Sequence, residues 1–105
     1  MPLPEQDEET LRAHLKKGIE DRQWRATVKK QLKSGEIELD EVLRQASEDQ
    51  VIAKTRVLEI LESMPHVGPV RARRLMERLD ISPSRRLRGL GVNQRERLLA
   101  EFSDR

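Results

Sequence analysis

A chain of 105 residues that is 38% charged and 35% hydrophobic supports one small domain with a modest core. It has no cysteine for a disulfide framework or thiolate metal site, and its two histidines, His14 and His66, cannot build a zinc site alone. The net charge of +2 is segregated: residues 1–35 hold eight Lys/Arg against six Asp/Glu, residues 36–64 three against eight, and residues 65–105 ten against five, so the C-terminal part favours a polyanion and the acidic middle is expected to face away from it.

No segment alternates with period two in β-branched residues, so an all-α fold is expected. From about Glu5 to Lys33 the pattern predicts one long, strongly charged helix. Leu11, Leu15 and Ile19 recur at four-residue spacing, as do Trp24, Val28 and Leu32, but the step between the two stripes is five residues. Gly18 weakens this helix by about 1 kcal/mol relative to Ala. Residues 1–35 therefore read as a helical arm, either one long helix whose first half is poorly anchored or an arm that orders only on a partner, and Ser34-Gly35 supplies its stop.

Residues 36–105 read as a compact helical domain. A short helix carries Leu39, Val42, Leu43 and Ala46 on one face, with Asp40 and Glu41 complementing its dipole. Residues 51–64 hold the densest apolar content, Val51, Ile52, Ala53, Val57, Leu58, Ile60, Leu61 and Met64, with Thr55 a candidate cap for the helix that ends before Pro65. The next helix starts at about Pro69, a favoured first-turn proline, and is expected to bury Val70, Ala72, Leu75, Met76 and Leu79. Asp80 to Gly91 reads as a loop. Asn93-x-x-Glu96 resembles a capping box for a last helix that buries Leu98, Leu99 and Phe102.

The segment with most chemical content is the hairpin Met64-Pro65-His66-Val67-Gly68-Pro69 with Val70, Arg71, Arg73 and Arg74 behind it. A helix N-terminus attracts anions through its unpaired N–H groups and dipole. Gly68 allows close approach to a phosphate and tolerates positive φ, while Pro65 and Pro69 restrict the chain on both sides. The three arginines add charge and bidentate donors, with residues 71 and 74 on one face and 73 to the side. A second basic stretch, Ser84-Arg85-Arg86-Leu87-Arg88-Gly89-Leu90-Gly91, contains no acid and is expected to fold back near the preceding helix. Together the two point to phosphates or a groove; the alternative is an ordinary helical corner with solvated arginines.

Other features bear on function less directly. Trp24 reads as a core or docking residue. With two aromatics and no Tyr, stacking of bases on aromatic rings is disfavoured. Lys16, Lys17, Arg22, Arg25, Lys29, Lys30 and Lys33 form a basic flank that is either a secondary nucleic-acid contact or a solvated face. Asp80 is a lone acidic candidate beside the hairpin, so no metal site, cofactor or enzyme is expected, and an adaptor built on the acidic middle is a weaker reading. No apolar run reaches the ~18 residues of a membrane span and no signal peptide is seen, so a cytoplasmic location without membrane contact is expected.

Residues Leu61–Leu79 resemble a helix-hairpin-helix motif, whose loop reads Pro-Gly-hydrophobic-Gly. With the continuation through Ser84–Gly91 and the terminal helix, residues 36–105 resemble the actinobacterial integration host factor family of mycobacteria and streptomycetes, whose core is similar to the helix-two-turn-helix of a small-subunit ribosomal protein. The resemblance implies a non-enzymatic, nucleoid-associated protein that binds duplex DNA with little sequence preference and bends it. It also implies a monomer acting beside a site-specific recombinase or integrase. Carried over by position, Val67, Gly68, Pro69, Val70 and Arg71 would approach phosphates, with Arg73 and Arg74 beside them. Arg85, Arg86, Arg88 and Gly89 would form the basic element at the groove. His66 stands where the motif has its first glycine; it is either a substitute donor or a solvated histidine. The ribosomal likeness leaves structured RNA as the alternative ligand.

Overall fold

The computed structural model describes residues 6–103, so the expected helix start at Glu5 lies outside the described residues. Among these residues the fold is all-α: α1 (Gln6–Ser34), α2 (Leu39–Ala46), α3 (Gln50–Ala53), α4 (Val57–Glu62), α5 (Pro69–Arg78) and α6 (Val92–Ser103), with a 3-10 turn at Leu87–Gly89.

α1 ends as its residues dictate. Gly35, at φ 83°, donates its amide to the Leu32 carbonyl and the Glu36 amide reaches the Gln31 carbonyl at 2.9 Å, the paired bonds of a glycine-stopped helix. Val28 and Leu32 are buried, whereas Leu11, Leu15 and Ile19 are exposed. Trp24 is docked on the surface and lies outside the core: its Nε1–H donates to Asp49 Oδ2 at 2.6 Å. The other oxygen of Asp49 accepts the Val51 amide at 2.9 Å and so caps α3. Lys29 Nζ to Glu59 Oε1, 2.7 Å, adds a second tie from α1 to the body. In α2 the Arg44 guanidinium hydrogen-bonds Glu41 and holds its carboxyl below the usual carboxylate range.

Residues 51–64 form two short helices set apart by Lys54–Arg56. Thr55 does not cap the second of them. It is buried, its Oγ1–H donates to the Val51 carbonyl at 2.9 Å, and its own carbonyl accepts the Leu87 amide at 2.9 Å. The Val57 amide donates to the Arg85 carbonyl at 2.9 Å, and Arg56 bridges Arg86 in antiparallel fashion. A returning strand of chain thus takes backbone groups that a continuous helix would have paired internally.

α5 stops at Leu79 with Asp80 in the left-handed region, φ 57°, and the Ile81 amide bonded to the Met76 carbonyl at 2.8 Å. Val70 is not buried as the apolar pattern suggested; it is 63% exposed at the start of α5. α6 begins earlier than the Asn93-x-x-Glu96 pattern implied. Gly91 is its cap: its carbonyl accepts the Arg95 amide at 2.9 Å, and its amide donates to Gln94 Oε1 at 3.1 Å. Gln94 Nε2 also donates to the Asp80 carbonyl, tying α6 to the end of α5.

One core runs from the second half of α1 to Leu98 of α6, with Ile52, Ile60, Leu61, Ala72, Met76 and Leu87 at its centre. The molecule measures 56 × 27 × 26 Å with a radius of gyration of 16.5 Å, against ~13 Å for a compact chain of this length. The excess comes from α1, whose 29 residues extend about 44 Å.

Candidate nucleic-acid interface

The hairpin between α4 and α5 is built on a four-residue turn. The Val67 amide donates to the Met64 carbonyl at 3.2 Å, with Pro65 second and His66 third in the turn. His66 has φ 64°, the left-handed conformation that a turn of this pattern demands of its third residue. The histidine therefore adopts the backbone that the motif's glycine would have supplied. The expected need for positive φ at Gly68 is not met: Gly68 is extended, φ −91°, and serves as the cap of α5. The space beside it is open, since a Cβ there would meet nothing within 4 Å.

Val67 turns its side chain into the core and anchors the hairpin, so only its backbone is available to a ligand. Gly68, Pro69, Val70 and Arg71 are exposed. The amides of Gly68, Val70 and Arg71 donate to nothing among the described residues, leaving a set of unpaired N–H groups at a ten-residue helix start. Arg71 Nη1–H donates to the His66 carbonyl at 3.3 Å and curls over the turn. The side chains of Arg73 and Arg74 form no ion pair or hydrogen bond among the described residues. Arg71, Arg74 and Arg78 line a small cleft against Glu101 and Phe102, where Arg78 is neutralised by Glu101 at 2.8 and 2.9 Å.

The basic loop does not fold back on α5 as expected. It pairs with the α3–α4 junction, because Leu87 is buried there and the backbones of Arg85, Arg86 and Leu87 bond to Thr55, Arg56 and Val57. Arg85 Nη1–H donates to the Gly89 carbonyl at 2.7 Å, and Arg86 Nη1–H donates to the Lys54 carbonyl. Each guanidinium keeps further donors free, so these bonds orient the two side chains without silencing them. A Cβ at Gly89 would sit 3.0 Å from Arg85 Cδ, so the Arg85 side chain would have to shift slightly to admit one. Arg88 is exposed and shares a cleft with Arg95 beside the end of α2.

The hairpin and the basic loop consequently sit at opposite ends of α4, separated by its six residues, about 9 Å of helix rise. The junction also brings Lys54 and Arg56, both exposed, beside Arg85, Arg86 and Arg88. Sequence reasoning missed these two cations because they lie in the acidic middle segment. The only local signal was their position on either side of Thr55.

A family model for the S13-like H2TH domain matches residues 32–102. The integration host factor of Mycobacterium tuberculosis is 44% identical over 102 residues, covering 97% of this chain and 97% of the relative. That of Streptomyces coelicolor is 49% identical over 102 residues, covering 97% and 95%. A solved structure of sIHF bound to an 8-bp palindromic DNA superposes with a TM-score of 0.81 at 50% identity, covering 83% of this chain and 98% of that one.

Proposed function

Because this chain belongs to the integration host factor family and carries its S13-like helix-two-turn-helix domain, we propose that it binds duplex DNA through phosphate contacts, largely without regard to sequence, and bends it. The observation that carries this reading is the pair of cationic surfaces at the two ends of α4. One offers the unpaired amides of Gly68, Val70 and Arg71 with Arg73 and Arg74 beside them. The other offers Arg85, Arg86 and Arg88 with Lys54 and Arg56. Main-chain amides and guanidinium groups directed at phosphates position a protein but read no bases. Two such surfaces on one body can neutralise separate phosphates of the same duplex. Gripping them with a rigid surface favours a distorted duplex over a straight one. His66 contributes its backbone carbonyl and turn geometry, through which Arg71 is held.

The reading has no catalytic part. Asp80, the acidic candidate, ends α5 at about 15 Å of helix rise from the hairpin. A nucleoid location in the cell follows from the ligand, and no described helix is long and apolar enough to cross a membrane.

Fluorescence anisotropy with unrelated 20-bp duplexes, titrated with salt, tests the proposal. About five neutralised phosphates give a log–log slope near −4.5. Replacing Arg85 and Arg86 together with Ala is expected to weaken binding to every duplex and to flatten that slope by about 2. A double variant that binds like the parent would remove this surface from the interface. Competition by hairpin RNA at equal strength would favour the ribosomal type of ligand, and faster ring closure of short DNA in the presence of protein would establish bending.

A further inference from the structure

The first half of α1 carries an apolar stripe that the domain does not use. Leu11, Leu15 and Ile19 are 56%, 59% and 48% exposed. They are not an extension of the docked face. At about 100° per residue, their mean direction lies roughly 120° around the helix from that of Val28 and Leu32. The five-residue step between Ile19 and Trp24 produces this rotation, so the stripe faces away from the body that the second half of α1 covers.

We propose that this stripe is a self-pairing surface, on which α1 of a second copy packs antiparallel about a twofold axis at Leu15. A twofold contact requires that the surface complement itself, residue i meeting j and j meeting i. About Leu15, position i meets position 30 − i, and the stripe obeys this throughout. Leu15 meets Leu15, and Leu11 meets Ile19. Glu8 and Arg22 lie within about 20° of the stripe's centre line at its two ends, so each Glu8 meets Arg22 of the other copy. Arg22 makes no ion pair among the described residues, and Glu8 has only an exposed contact to Arg12 at 3.3 Å. Gly18 meets Arg12, and a Cβ at Gly18 would find nothing within 4 Å, which leaves room for a crossing side chain. A parallel pairing would instead set Glu8 against Glu8 and Arg22 against Arg22. The contact spans 15 residues, about 22 Å. With three apolar side chains per copy it falls well short of the ~800 Å² per partner of a stable interface. Pairing is therefore expected at high local concentration and not in dilute solution.

The native chain has no cysteine, which permits a direct test on the full-length protein. At roughly millimolar protein, the concentration at which pairing is expected, Leu15→Cys should form disulfide dimers at least tenfold faster than Ala13→Cys, an exposed position on the opposite face. Leu11→Cys alone should dimerise slowly, because its counterpart in the other copy lies about eight residues, or ~12 Å, away along the axis, beyond the ~7 Å reach of a disulfide. A mixture of Leu11→Cys and Ile19→Cys should cross-link as readily as Leu15→Cys. Adding Glu8→Arg to Leu15→Cys should slow cross-linking several-fold, and adding Arg22→Glu as well should restore it. Equal rates for Leu15→Cys and Ala13→Cys, or self-linking by Leu11→Cys as fast as by Leu15→Cys, would overturn the proposal. So would failure of the charge exchange to restore the rate. None of these readouts uses DNA, so the pairing and the DNA-binding reading fail or stand separately.

Discussion

His66 holds φ 64° at a turn position where glycine is ordinarily favoured. A non-glycine residue there carries about 1–2 kcal/mol of backbone strain, partly offset because glycine loses more chain entropy on folding. His66→Gly is therefore expected to raise stability by about 0.5–1 kcal/mol in urea unfolding monitored by Trp24 fluorescence, and an unchanged or lower stability would show that the imidazole itself supports the turn. Asp49 concentrates two tasks in one carboxylate, capping α3 with one oxygen and holding Trp24 with the other. Asp49→Ala should cost about 2 kcal/mol, and Trp24→Phe, which removes the indole N–H bond and shrinks the ring while leaving the cap of α3 in place, about half of that. Single-residue legibility was uneven for a physical reason. The glycine stop of α1 acts through its own backbone and can be read directly, whereas the positive φ of the hairpin falls on His66 and not on Gly68. Val70 and Trp24 depend on which neighbours arrive, and apolar character alone could not place Val70 at an exposed helix start.

At the scale of elements, the decisive event is the meeting of the basic loop with the α3–α4 junction. The Thr55 carbonyl and Val57 amide bond to Leu87 and Arg85, which splits the apolar run of residues 51–64 into two helices. The same contact moves Lys54 and Arg56 out of the acidic middle and into the cationic surface. Replacing both with Ala is expected to weaken duplex binding and lower the salt slope by roughly 2. Their side chains are exposed, so thermal unfolding should shift little. Wild-type affinity in that variant would confine the interface to the arginine loop and hairpin. Helix periodicity was readable for α2, α5 and α6 because an amphipathic face repeats within each element. The capping of α6 by Gly91 and Gln94 was missed because Asn93 and Glu96, two residues later, offer the more familiar pattern.

At the scale of the whole molecule, the core closes around Val28 and Leu32 of α1 and leaves the first half of that helix outside it. Deleting residues 1–18 should change unfolding free energy by less than about 1 kcal/mol, whereas Leu32→Ala should cost about 3 kcal/mol by opening a cavity. A large loss on truncation would mean that the exposed stripe contributes to folding of the single chain. The sequence by itself determined the helical class, the order of the long elements, the hairpin with its arginines and the change of face along α1. Each of these is written in periodicity, turn residues or charge within a few positions. Only the tertiary structure decided that the basic loop lies at the opposite end of α4 from the hairpin, that Lys54 and Arg56 join it, and that His66 takes the left-handed turn. The first two depend on hydrogen bonds between Thr55–Val57 and Arg85–Leu87, groups some thirty positions apart with no side-chain code for their pairing. The third depends on a packed Val67 and a bonded turn that together hold a strained backbone in place.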